Sequence, residues 1–263
     1  MMVRLIRLQI ISVCAIFSTF AITSPRAAES PVVPADYTAV YDVLHNGKNL
    51  AEVTVQLSNQ DGIWTMHGYT HSMQGLAGAL NAKGAQTVTG NWNNGEFVPH
   101  NFKFSFSVIG YKSAWEADFD WPGETVTIRT KEGQFQLPLT GKAFDPLSLM
   151  LNTSTLLTDS QDRMMVNVID EDEIKNHVYE ADHDKPIDSA LGCLKTTLIK
   201  RIRENSKRTS QVWYANDHEF VPVLMQHFKK KQHKGLRLEI KTLEVAGKPV
   251  QPAERCAIDK QEF

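Results

Sequence analysis

The chain has 263 residues, with 28 Lys and Arg against 30 Asp and Glu, for a formal net charge of −2. Such a balance excludes non-specific binding of DNA or RNA as its main business, because that binding draws on a large positive field. Its length allows one large domain, and its three cysteines leave room for little covalent bracing.

Arg4 and Arg7 precede an apolar run, Leu8 to Ile22, interrupted only by Gln9, Ser12, Ser18 and Thr19. Ser24-Pro25-Arg26-Ala27-Ala28 then ends the run with small residues, the order of features of a secretory signal. The expected reading is a signal peptide over 1–28, cleaved near Ala28, and a single β-rich periplasmic domain over 29–263. Arg26 is an imperfect −3 residue, and the alternative is an uncleaved anchor helix. Val13 precedes Cys14 where a lipoprotein signal takes Gly or Ala, which argues against a lipid anchor. Beyond the signal only Cys193 and Cys256 are left. In an oxidising compartment such a pair predicts a disulfide, the alternative being two buried or free thiols.

Alternation of apolar and polar residues dominates the rest of the chain. Val53, Val55 and Leu57 alternate with Thr54 and Gln56; Phe102, Phe104, Phe106 and Val108 with Lys103, Ser105 and Ser107. Trp115, Ala117, Phe119 and Trp121 alternate with acids, and Leu236, Leu238 and Ile240 with Arg237, Glu239 and Lys241. One apolar and one polar face per strand is the pattern of antiparallel sheet with one wet side. Asn46-Gly47, Asp61-Gly62, Asn94-Gly95, Pro122-Gly123, Glu132-Gly133 and Asn216-Asp217 supply the turns. Strands are expected near 37–44, 50–58, 63–72, 84–92, 98–109, 111–120, 124–130 and 134–139, then near 164–169, 174–181, 192–203, 208–215, 221–229 and 235–244. The predicted fold is mainly β, a large curved antiparallel sheet or open β-barrel.

One segment departs from it. Asp145 as N-cap with Pro146 at the first helical position starts a helix over 145–157, apolar almost all round and therefore buried. It joins two hairpin-rich halves and would plug the concave side of the sheet. Met73 to Ala82 fits neither element well, and Gly75 and Gly78 suit it to a flap.

With these elements placed, the chain resembles the exported bacterial family known as domain of unknown function 3108. The resemblance rests on Tyr41-Asp42-Val43 with Asn46-Gly47, Pro99 before the Phe102–Phe106 strand, and Phe119-Asp120-Trp121. It continues in Phe144-Asp145-Pro146-Leu147-Ser148, Gly192-Cys193-Leu194-Lys195, Trp213-Tyr214-Ala215 and Pro222-Val223. The acidic stretch Asp170 to Glu173 departs from the pattern. Membership would imply export and β architecture, and it brings no known activity, catalytic residue or cofactor. A curved sheet plugged by a helix is also similar to carriers that shuttle lipoproteins across the periplasm, a likeness that fixes no function.

The reactive residues form no convincing centre. His67 and His71 sit four apart in a strand, about 13 Å, too far to share a zinc ion. Asp182-His183-Asp184, with Ser189 and Cys193 downstream, lacks a nucleophile elbow and a third group to orient the base. No cofactor or metal is expected. Charge is segregated instead: ten acids fall within 159–188, and ten Lys or Arg within 200–237. Arg201, Arg203, Lys207, Arg208, Lys229, Lys230, Lys231 and Lys234 are read as a basic surface at neighbouring turns, suited to an anionic membrane surface or acidic partner, the alternative being ordinary solvated turns whose lysines protect the sheet edges.

The expected function is a periplasmic, non-catalytic binding or carrier protein for an apolar or amphiphilic cell-envelope ligand. Phe102, Phe104, Phe106, Trp115, Phe119, Leu147, Met150 and Leu151 are the candidate ligand-binding residues. The alternative is a structural or interaction protein of the envelope, its sheet filled by its own helix. Expected partners are a lipid-like ligand or an envelope protein.

Overall fold

The structure is a computed structural model and describes residues 33–73, 82–157, 162–203, 206–229 and 234–257. Eight strands come first: β1 (Tyr37–His45), β2 (Lys48–Gln60), β3 (Ile63–Met73), β4 (Lys83–Asn93), β5 (Glu96–Val108), β6 (Tyr111–Asp120), β7 (Thr125–Thr130) and β8 (Gly133–Pro138). Each pairs antiparallel with the next. Asn46-Gly47, Asp61-Gly62 and Asn94-Gly95 have positive φ at both positions, the requirement of tight hairpin turns whose twist matches the strands.

After β8 come β9 (Ala143–Phe144) and the helix α1 (Pro146–Leu156), then β10 (Arg163–Asp170) and β11 (Glu173–Asp182). A short ribbon of β12 (Ile187–Ser189) and β13 (Gly192–Leu194) follows. β14 (Thr196–Ile202), β15 (Arg208–Ala215), β16 (Pro222–Lys229), β17 (Lys234–Val245) and β18 (Lys248–Pro249) complete the chain. The expected strand over 192–203 is thus broken at Lys195, whose carbonyl accepts from Asn216 N–H (3.0 Å). β13 leaves the main sheet to pair with β12.

The sheet is continuous because β1 pairs antiparallel with β17. From that seam β1 to β8 run outward on one side, and β17, β16, β15, β14, β11, β10 and β9 on the other. The path ends at β8 and β9, so the sheet is curved but not closed. Only β9 and β10 pair in parallel among the described strands. Tyr41 clamps the seam from β1, its hydroxyl donating to the Pro222 carbonyl (2.7 Å).

The alternating residues of β3 to β7 supply one face of the main core. Met66, Val88, Phe102, Ala117, Val126 and Ile128 are fully buried in it. α1 lies on this inner side. Asp145 caps it, one carboxylate oxygen accepting from Leu147 N–H (2.9 Å) and Ser148 N–H (3.0 Å). Leu147 and Leu151 face the main core, while Leu149 packs into a second cluster with Phe144, Met164, Val166, Val168, Ile199 and Tyr214. The expected buried helix is therefore a wedge between two apolar clusters. Of the expected flap, residues 74–81 lie outside the described residues.

Asn152 fixes the wedge. Its amide accepts from Phe97 N–H and donates to Phe97 C=O, both at 2.8 Å. The register of β6 on β5 stops at Asn101, so Phe97 lies beyond the last strand partner on that side. A helix side chain continues the ladder that β6 leaves.

Candidate functional site

On the second half of the sheet, strand register determines what α1 looks at. Tyr179 of β11 pairs with Arg201 of β14, and Ala181 with Ile199. Ile199 pairs with Val212 of β15. Directly paired residues share a face, so Ile199 and, two residues on, Arg201 and Arg203 face inward with Tyr179 and Val212.

Between this face and α1 lies a cleft of about 340 Å³. α1 contributes Leu149, Met150 and Thr153. Met164, Val168, Ile199 and Val212 make its floor, and His177, Tyr179, Arg201, Arg203 and Ser210 its polar side. Tyr214 is buried at its inner end, its hydroxyl 3.3 Å from Thr153 Oγ1. This volume is at the lower end of the ~300–1,000 Å³ typical of small-ligand sites, and the lining is of the usual kind, mostly apolar with a few converging polar groups.

The polar side is electrostatically unusual. Burial and the neighbouring Arg203 draw the Arg201 pKa below its ordinary value. Burial, reinforced by Arg201 and Arg203, pushes His177 down to about 4, so its imidazole is neutral at pH 7. His227 shifts the same way, through burial and then the arginines Arg203, Arg208 and Arg201. His177 Nδ1 lies 3.1 Å from Tyr179 Oη, while its buried Nε2 has no hydrogen-bond partner among the described residues.

The candidates read from sequence separate into groups. Phe102, Trp115, Phe119, Leu147 and Leu151 are buried in the main core, with Phe102 and Trp115 rings 4.8 Å apart. Phe104 packs at the border of that core, and Phe106 is half-buried against Tyr111. Met150 lines the cleft and touches both clusters. A larger recess of about 620 Å³ over β4–β7 is lined by Phe104 and Trp115 together with Lys103, Glu116 and Arg129. Arg129 is already paired with Glu116 and Asp118, and Lys103 with Glu116. That makes it a solvated ion network over a groove, a poorer ligand site.

Of the basic residues, Lys207, Arg208 and Lys229 are exposed, and Arg208 is the cross-strand partner of Lys229. Arg201 and Arg203 are half-buried in the cleft instead. Lys230, Lys231 and the side chain of Lys234 lie outside the described residues. Cys193 and Cys256 form a disulfide, with Cα atoms 4.6 Å apart. It ties β13 to the C-terminal segment, where Cys193 N–H donates to Glu254 C=O and Ala253 N–H to Leu191 C=O.

The sequence model of DUF3108, described as a protein of unknown function, matches residues 36–239. The chain belongs to the DUF3108 family. It matches no curated protein sequence. Among solved structures it is similar to a β-barrel-like protein of domain of unknown function DUF1849 from Brucella abortus, with 10% identity and a TM-score of 0.54. That likeness covers 81% of this chain and 99% of the other, and is one of fold. A candidate lipoprotein from Parabacteroides distasonis aligns over 81% of this chain and 97% of its own, at 12% identity and a TM-score of 0.31.

In this DUF3108 chain the remaining reactive groups are engaged separately. His183 lies 3.3 Å from Thr197 Oγ1 and 3.4 Å from Asp162 Oδ1, and Asp182 pairs with Lys185 and Lys200. His67 Nδ1 is 2.6 Å from Thr87 Oγ1, and the side chain of His71 lies outside the described residues. Cys193, in its disulfide, has no thiolate to offer as nucleophile.

Proposed function

We propose that this protein is an exported, non-catalytic binding or carrier protein of the periplasm, holding an apolar or amphiphilic envelope ligand in the cleft beside α1. The observation that carries the reading is the cleft itself, open on its polar side and apolar where Leu149, Met150, Ile199 and Val212 meet. A sheet needing only its own helix as filler would close at that point. Export is supported by the signal-like N-terminus and by a disulfide that suits an oxidising compartment.

Titration of a fluorescent fatty-acid probe tests it. Saturable, one-to-one uptake by the wild type and none by Met150→Trp is the expected result. Absence of uptake by the wild type would move the function to the protein's surface.

A further inference from the structure

The cleft changes polarity in ordered steps along the strands. Nearest α1, the row Ala181–Ile199–Val212 is apolar. In the next row on the same face, Tyr179 pairs with Arg201. Arg203 lies two residues further out, about 6.7 Å along the strand, on the side of His177. A ligand fitting this gradient has one greasy and one polar end.

The cationic end is only partly neutralised, by the field of Asp170 reaching Arg201 from beyond ion-pair distance. Among the described residues no carboxylate oxygen lies within 4.0 Å of either guanidinium. Asp170, at the edge of the cleft, is held by Lys175 (2.8 Å). Arg203 donates one N–H to Ser210 Oγ (3.0 Å), which lies 2.8 Å from His227 Nδ1. Arg201 Nε is buried and has no hydrogen-bond partner among the described residues. On the opposite face of the same strand, Lys200 pairs with Asp182, and the exposed Arg255 pairs with Asp188. Two partly desolvated guanidinium groups, with N–H donors to spare beside an apolar wall, match a planar or tetrahedral oxyanion.

We infer that the cleft takes a single alkyl chain ending in an oxyanion, a carboxylate or phosphate monoester, with its head on Arg201 and Arg203 and its chain along α1. This rests on the cleft being a binding site. Its volume suits one medium-length chain rather than the two chains of a phospholipid.

Isothermal titration calorimetry of the delipidated protein, at fixed ionic strength and below micelle formation, separates the possibilities. The probes are dodecanoate, dodecyl phosphate, 1-dodecanol and inorganic phosphate. The wild type should bind at least one of the two anionic amphiphiles about tenfold or more tightly than dodecanol, the yield of a charge-assisted hydrogen bond. The tighter of the two identifies the head group. Arg201→Gln and Arg203→Gln should each shrink the preference, and the double variant should abolish it while dodecanol affinity stays level, which also certifies the fold. Should the double variant not fold, Arg201→Lys replaces it and should weaken only the anionic ligands. Dodecanol binding as tightly as the anions, or a preference that survives in the variants, would overturn the inference and leave the binding-protein reading intact. Inorganic phosphate competing as well as dodecyl phosphate would overturn it too. No binding by any chain-bearing probe would bring down both.

Discussion

The side-chain amide of Asn152 and the backbone of Phe97 form a reciprocal pair, both hydrogen bonds at 2.8 Å and both fully buried. Asn is a poor interior helix residue; here it is the tertiary latch between α1 and the sheet. Replacing it by Ala strands two backbone groups away from water, each at about 1–3 kcal/mol. Asn152→Ala should therefore lose about 2–6 kcal/mol, read as a lower urea midpoint at unchanged slope. A midpoint equal to the wild type would mean that the latch carries no weight.

Asp145 is fully buried, and its second carboxylate oxygen has no hydrogen-bond partner among the described residues. Desolvation pushes its pKa up to about 6, against the caps it accepts from Ser148 and Leu147. The unfolded carboxyl loses its proton near pH 4, the folded one near 6, so the folded state binds more protons in between. Stability should fall as pH rises from about 4 to about 6 and level off above, by about 3 kcal/mol in all. An asparagine at this position would cap as well without ionising. The difference in unfolding free energy between wild type and Asp145→Asn, followed from about pH 4 to 8, should show this slope; a flat difference would refute it.

The Cys193–Cys256 bond spans 63 residues of sequence. In the chain-entropy view, closing such a loop contributes about 4 kcal/mol, less any native strain. Thiol titration of the unfolded, unreduced protein should find no free thiol besides Cys14, and Cys256→Ser should melt well below the wild type. Two titratable thiols would remove the bond.

Met150 distinguishes a cavity from a core. Overfilling a packed core costs about 1–3 kcal/mol. Because Met150 borders open space, Met150→Trp should unfold within about 0.5 kcal/mol of wild type, the usual range for a harmless change. A loss of about 2 kcal/mol or more would mark the site as filled.

Much of the architecture was legible because period-2 alternation and Asn-Gly or Asp-Gly turns are local signals. The strand over 111–120 and the helix start at Asp145-Pro146 lie where the pattern put them. What alternation does not say is what covers a face. Phe102, Trp115 and Phe119 read equally as ligand wall or core, and the structure packs them with Ile128, Leu147 and Leu151 in one cluster. Arg201 and Arg203 read as turn charges because Leu198-Ile199-Lys200-Arg201-Ile202-Arg203 has apolar residues on both faces, and both Leu198 and Ile199 are buried. Only the pairing of Tyr179 with Arg201 turns the arginines inward. The break at Lys195 depends on β12, three residues long and too short to carry a pattern. Ser148, Asn152 and Thr153 were a local hint in α1, polar groups in an apolar helix that had to find partners.

A ligand held in the cleft beside α1 in the cell should stay with the protein through purification. Native mass spectrometry of the protein purified without detergent from its native cells detects such a ligand. The expected result is a one-to-one adduct with the mass of a single-chain amphiphile, absent from Met150→Trp prepared in the same way. The bare polypeptide mass in both preparations, from protein that also takes up no added fatty acid, would contradict it.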